Sequence, residues 1–320
     1  MKDASIFDGT AWQSLKGPPG PSAIRAVDGN PLELGSDGLH FTTAPPDSDA
    51  HIWCRDGDDI ADKYEQARLL APGGNALSAT NRATLVVLPG VYDLGTYYDP
   101  DYGGDLPRLL SLEASFVDVV GLGAVRLPSG CVPAVVVPRG VGFSANDARI
   151  SGISAGASPF SAGDRRGAIF DCCSGGDQSF RGEGSYVNCT GGDDSFSGTG
   201  VSAFANCKAG GYSFNGTGSF INCDGGDYCF GGETNADGTF INCTGGIGSF
   251  GGSGTASGTF TNCTGGYRAF GFPESEPTAV IAASARLVGC RVTSGGFTTP
   301  EAGAILRFCL DETYTEVNTP

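Results

Sequence analysis

Phe240-Ile241-Asn242-Cys243-Thr244-Gly245-Gly246 is followed by a second copy, Phe260-Thr261-Asn262-Cys263-Thr264-Gly265-Gly266. Four earlier copies of this aromatic-x-Asn-Cys-x-Gly-Gly phrase carry Cys173, Cys189, Cys207 and Cys223. The first has Cys172 in place of Asn, and the third has Ala209 before its Gly pair. Successive cysteines lie 16, 18, 16, 20 and 20 residues apart. That period is too short for repeats made of helix pairs and matches one coil of a β-solenoid. A second phrase, a small residue followed by Phe, keeps the same steps through Phe180, Phe196, Phe214, Phe230, Phe250 and Phe270. The length changes fall after this Phe, in residues 197–203, 231–239 and 251–259. One side of each coil therefore varies while the rest is fixed. Such a side often carries binding in repeat proteins, although loops also tolerate length change for its own sake.

The copies also say which side chains point inward. The residue before Asn changes freely (Val187, Ala205, Ile221, Ile241, Thr261), so it is expected outside. The leading aromatic and the Cys hardly change, so both are expected inside. Strict strand alternation would place residues three apart on opposite faces. A bend at Asn removes the conflict, because Asn tolerates the left-handed conformation of a corner. Asn188, Asn206, Asn222, Asn242 and Asn262 should then stack as an amide ladder. Cys189, Cys207, Cys223, Cys243 and Cys263 should stack as a buried packing row of free thiols, since unpaired Cys behaves as a small hydrophobe.

Composition narrows the remaining classes. The chain has 320 residues, 53 of them Gly, and 10% aromatics, too many for a disordered Gly-rich chain. Its formal net charge of −16 argues against nucleic acid and anionic membrane surfaces as partners. Twelve cysteines with only His40 and His51 give no zinc spacing. The reading predicts no metal and no cofactor, and thiols kept reduced, as in a cytoplasm. Met1-Lys2-Asp3-Ala4-Ser5 leads into no apolar run, so neither a secretion signal nor membrane insertion is expected.

Outside the repeats the texture changes in steps. Residues 1–50 have no periodicity and contain Gly17-Pro18-Pro19-Gly20-Pro21, a collagen-like fragment too short for a stable triple helix. They read as an extended arm. Residues 51–83 read as a cap: acidic residues through Asp59 precede a helix pattern with Ile60, Tyr64 and Ala67 on one face, and Pro72-Gly73-Gly74 stops it. A solenoid over residues 84–310 would need such a cover for its open strand edge. Residues 311–320 read as a polar tail.

Two stretches carry a family resemblance. Asp56-Gly57-Asp58-Asp59, the short helix, Gly73-Gly74 and Val86-Val87-Leu88-Pro89-Gly90-Val91-Tyr92 resemble, in that order, the entry region of phage tailspikes. Those tailspikes belong to the pectate-lyase-like, right-handed parallel β-helix class, which the Asn-Cys rungs also resemble. The phrase after Pro89 is one residue shorter than the family form. Residues 7–21, with Asp8-Gly9-Thr10-Ala11-Trp12 and the Gly-Pro-Pro-Gly piece, are similar to the amino-terminal arms of phage tail fibres. The resemblance implies an all-β, single-stranded right-handed parallel β-helix with an arm and a capping helix. It also implies a homotrimer made in the host cytoplasm and carried on the virion tail. Residues 1–50 would dock on other tail or baseplate proteins through Phe7, Trp12, Pro18 and Pro19. The solenoid would bind a host-surface glycan. Alternatives are a tail-borne polysaccharide depolymerase and a head-attached fibre.

Catalysis on such a scaffold would need particular residues. Glycoside hydrolysis needs two carboxylates about 5–9 Å apart, and the acids after Gly-Gly are Asp177, Asp193, Asp194 and Asp227. Stacked carboxylates also arise whenever an acid recurs once per coil, so solvation of a turn is the reading preferred here. Lyase chemistry would need a base, and the clustered basic residues are Arg165, Arg166 and Arg181. Enzyme activity is therefore the less favoured expectation.

Overall fold

The computed structural model describes residues 5–7, 12–14, 32–35, 38–41, 48–99, 104–107, 109–127, 130–137, 141–143, 145, 147–155, 161–162, 168–180, 182–197, 201–215, 217–231, 235–251, 255–270, 281–294, 297 and 300–319. The chain divides into two compact units, Met1–Asp47 and Ser48–Pro320. In the first, Ser5–Phe7 pairs antiparallel with Trp12–Ser14, and Leu32–Gly35 pairs antiparallel with Gly38–Phe41. The described part of this segment is thus two short strand pairs and not one extended run. Phe7 and Trp12 are backbone register partners in the first pair; Pro18 and Pro19 lie outside the described residues.

The second unit is a parallel β-solenoid. Its main sheet has twelve strands, each paired with the next coil. In chain order they are His51–Cys54, Ala83–Val87, Val117–Gly121, Arg149–Ser151, Ala168–Asp171, Gly184–Val187, Val201–Ala205, Thr217–Ile221, Gly238–Ile241, Thr259–Thr261, Arg286–Val288 and Ile305–Arg307. All eleven pairings in this sheet are parallel. Two antiparallel excursions, Thr96–Asp99 with Gly104–Pro107 and Val125–Leu127 with Gly130–Val132, interrupt the early coils.

Both solenoid boundaries differ from those the sequence suggests. The first strand is His51–Cys54, inside the segment read as a cap. Ile52 and Cys54 alternate inward and are buried, but four residues are too short a run to stand out. The helix Ile60–Arg68 is inserted between the first and second strands. Asp59 Oδ1 caps it by accepting from the amides of Ala61 (2.8 Å) and Asp62 (3.3 Å). Ile60, Tyr64 and Ala67 are its buried face, and Tyr64 Oη accepts from the Ala114 amide at 2.9 Å. At the other end, Glu316–Val317 of the polar tail forms a strand antiparallel to Cys309–Leu310.

Aromatic ladders fill the regular coils. Phe170, Tyr186, Phe204, Phe220, Phe240 and Phe260 stack with ring centroids 4.8–5.1 Å apart. The second Phe row stacks at 4.8–4.9 Å. The two rows meet edge to face at 5.4–6.1 Å and 78–89°. Each such pair contributes about 0.5–1.5 kcal/mol beyond the area it buries.

The corners explain the motif. Asn188, Asn206, Asn222, Asn242 and Asn262 all have φ of 52–55°. Cys172, Gly289 and Phe308 occupy the same corner in neighbouring coils, also left-handed. One left-handed bend per coil was expected; among the described residues two further left-handed rows accompany it. Gln178, Asp194, Tyr212, Tyr228, Gly248 and Arg268 form a second row, and Phe180, Phe196, Phe214, Phe230, Phe250 and Phe270 a third with φ of 55–64°. A bulky residue in that region is a steric outlier, costing on the order of 1–3 kcal/mol. Ring stacking and inter-coil bonds such as Phe196 N to Ser179 O (2.9 Å) hold it there.

Candidate functional site: outer face, corner ladder and acidic turn

The Asn corner row is hydrogen bonded along the axis. Asn206 Nδ2 donates to Asn188 Oδ1 (3.2 Å), Asn222 to Asn206 (3.0 Å), Asn242 to Asn222 (3.1 Å) and Asn262 to Asn242 (3.4 Å). Asn188 closes one end on Asp171 Oδ1 at 3.1 Å. At the other end Gly289 takes the Asn position, where a Cβ would overlap Asn262 Oδ1. Each inner amide spends one N–H and one carbonyl lone pair on the ladder. Asn206, Asn222, Asn242 and Asn262 are exposed, and each amide has a second N–H and lone pair beyond its ladder bonds.

Cys189, Cys207, Cys223, Cys243 and Cys263 are buried free thiols. Their Sγ atoms donate to backbone carbonyls, for example Cys207 to Tyr186 O at 3.3 Å and Cys243 to Phe220 O at 3.3 Å. Burial pushes the Cys189 thiol up, and it pushes the Cys229 thiol up to about 12. One departure from an all-thiol chain exists: Cys131 is disulfide-bonded to Cys172, the residue that replaces Asn in the first regular coil. The repeat register could not reveal this bond, because Cys131 lies outside the repeats on an antiparallel excursion.

Three of the four acidic candidates are structural acceptors. Asp177 Oδ1 accepts from the Asp193 amide at 2.9 Å, Asp193 Oδ1 from Gly211 at 2.8 Å, and Asp227 Oδ1 from Ile247 at 2.7 Å. Each carboxylate reaches one coil forward and lies where a Cβ on Gly192, Gly210 or Gly246 would be. At these three positions the glycine is therefore the space the carboxylate needs, whereas a Cβ on Gly226 or Gly266 would meet backbone of the preceding coil. This register also reassigns the third copy. Ala209 takes the first Gly place, since its amide bonds to Asp224 O as that of Gly191 bonds to Lys208 O, and Gly211 sits where Asp177, Asp193 and Asp227 stand in their coils. Asp194 is the left-handed residue of its turn, with its amide on Gly211 O at 2.9 Å. Arg165, Arg166 and Arg181 lie outside the described residues. Pockets of about 480 and 340 Å3 border the helix instead, one lined by Leu70, Leu77 and Glu113, the other by Asp56, Asp58 and Tyr92. Among the described residues, no group of three His, Cys, Asp or Glu side chains could hold a metal ion.

The outer face of the main sheet has a different character. Over five successive coils the residue before the aromatic is Ser185, Ala203, Ser219, Thr239 or Thr259. The residue after it is Val187, Ala205, Ile221, Ile241 or Thr261. All ten are exposed or half-buried and none is charged, although the chain holds 35 acidic residues. Charge returns at both ends of the strip, with Asp171 before it and Arg286 after it. Only the row after the aromatic was recognised in the sequence as outward. The uncharged pair of rows shows once the strand register is known.

A further exposed feature went unread in the sequence. Tyr212 and Tyr228 share the left-handed turn row and stack at 5.2 Å, and Arg268 lies 4.7 Å over the Tyr267 ring. The side of variable length is described only in part. In its longer coils Ala236, Ala256, Ile281 and Pro300 bridge one another along the axis, adding an extra rung position. The chain matches no protein-family model, and no curated protein is detectably similar to it.

Proposed function

We propose that the chain is a non-catalytic, glycan-binding subunit of a phage tail fibre or tailspike. The observation that carries the binding part is the uncharged outer strip beside the Asn ladder. A strongly acidic protein that keeps ten solvent-facing positions free of charge over five coils reduces the cost of bringing a polar, neutral ligand there. The strip offers methyl groups, hydroxyls and amides at a spacing of about 4.8 Å. An extended saccharide chain presents the matching mixture of C–H faces and hydroxyl groups. Hydrolysis is disfavoured because Asp177, Asp193 and Asp227 already accept backbone N–H bonds that hold the coils in register. The virion assignment rests on the resemblance of residues 7–21 and 55–92 to phage arms and tailspike entry regions, and with it go the homotrimer and attachment through residues 1–50.

The test is binding of the full chain to an array of bacterial surface polysaccharides, followed by the same measurement on Ile221→Lys and Thr239→Lys. Binding to at least one polysaccharide, lost in both variants with the fold intact and with no shortening of the polymer, is the expected result. Binding that survives both substitutions overturns the assignment to this face. Shortened polymer overturns the non-catalytic reading.

A further inference from the structure

The last strand of the main sheet, Ile305–Arg307, gives one side of its backbone to the preceding coil. The Ile305 amide bonds to Ala285 O, and Arg307 O accepts from Gly289 N. The alternate groups, on Ala304, Leu306 and Phe308, point away from the sheet. A free edge of this kind is a template for another strand.

Residues 311–319 occupy that edge. Leu306 N donates to Thr319 Oγ1 at 2.9 Å, and Leu306 O accepts from Thr319 N at 3.2 Å. Thr319 Oγ1 also donates to Ala304 O at 2.9 Å, and Phe308 N donates to Asn318 Oδ1 at 2.8 Å. One step on, Cys309–Leu310 pairs antiparallel with Glu316–Val317. The turn between the two is built on Asp311, whose Oδ1 accepts from the amides of Thr313 and Thr315, both at 2.9 Å. Arg291 fastens the hairpin from the preceding coil, donating to Tyr314 Oη at 2.6 Å with its guanidinium 4.4 Å from the ring centre.

Two details set this segment apart from another coil. It runs antiparallel, whereas every pairing in the main sheet is parallel, so it cannot be continued by a further coil in register. And at Leu306 it uses a Thr amide and a Thr hydroxyl to copy the two bonds that an opposing strand residue makes in an antiparallel pair.

We propose that residues 311–319 form a detachable edge guard. When it is displaced, Ile305–Arg307 pairs antiparallel with the same strand edge of a second copy of this chain. The partner follows from the geometry. Two identical edges related by a twofold axis through Leu306 run antiparallel, as the guard does, and exchange the N–H and C=O of Leu306 that Thr319 now satisfies. Phe308, which is 69% exposed at this end, would be covered in the same contact.

The experiment compares the native mass of the full chain with that of a chain ending at Leu310. The expected result is a particle of twice the full-length mass, whatever that mass is, returning to the full-length value when a peptide of residues 311–319 is added in excess. A truncated, folded chain with the full-length mass overturns the proposal. If truncation prevents folding, the full chain carrying Tyr314→Ala with Thr319→Val loosens the guard instead. Loss of hydrogen-exchange protection at the Leu306 and Phe308 amides, with a concentration-dependent doubling of mass, is then expected. Unchanged mass in that variant at every concentration overturns the proposal equally.

Discussion

The coils before and after residue 168 solve the same packing problem with different chemistry. In the early coils the inward positions are aliphatic: Leu85, Val87, Val117, Val119, Ile150 and Ile153. Their outer surface is tied by a polar clamp. Arg82 Nε donates to Asp118 Oδ2 at 2.8 Å, Arg82 Nη2 bonds to Asp118 Oδ1, and that oxygen also accepts from the Arg149 amide at 2.9 Å. In the later coils two aromatic ladders, a thiol row and an amide ladder repeat with little change. Branched aliphatics interlock in many ways, so each early coil can differ and even extrude a hairpin. Flat rings stack in one way, so each later coil must copy its neighbour, including its left-handed corners. The regular half gains uniformity and loses tolerance.

Four comparisons would break or sharpen that contrast. The largest effect is expected from Phe220→Ala. Its ring touches two stacked neighbours and two edge-on neighbours, so the loss should reach at least about 3–5 kcal/mol. Val119→Ala in the early coils should cost clearly less in the same urea titration. Equal losses would remove the argument from ring geometry. Cys131→Ser should cost about 2–4 kcal/mol, because it releases a cross-link spanning 41 residues at the junction of the two halves. Urea melts of this variant under oxidising conditions should match those of the reduced parent.

A smaller effect, about 1–3 kcal/mol of overpacking, is expected for Gly192→Ala, whose Cβ would collide with the Asp177 carboxylate. Adding Asp177→Ser should recover part of it. A double variant no more stable than the single one would show that the backbone, and not the carboxylate, excludes the side chain. The smallest effect is expected for Asn222→Gly. Glycine keeps the left-handed corner and loses only the ladder bonds, so about 0.5–1.5 kcal/mol should go. Asn222→Ala should lose more, since Ala also resists φ near 54°. A thermal melt that ranks Ala above Gly would contradict the corner assignment.

The candidate binding strip was half legible. Free variation at Val187, Ala205, Ile221, Ile241 and Thr261 marks an outward row from sequence alone. That Ser185, Ala203, Ser219, Thr239 and Thr259 lie beside them depends on strand register across coils of unequal length. The acids were legible as a set and as residues of a turn, but not in their bonding. Their partners are backbone amides one coil away, and the residues that make room for them are glycines that bear no side chain to read.

The sequence by itself determined the solenoid, its coil length, the inward aromatics and thiols, and the bend at Asn. Each of these repeats on the scale of one coil and follows from local preference or from the constancy of a position. Only the tertiary structure decided that Phe is also left-handed, that Cys172 bonds to Cys131, and that a strand precedes the capping helix. It alone decided that residues 311–319 cover an edge. The physical reason is common to all four. The conformation is held by a neighbour distant in the chain, and Phe, Cys and a four-residue strand have no local preference strong enough to announce it.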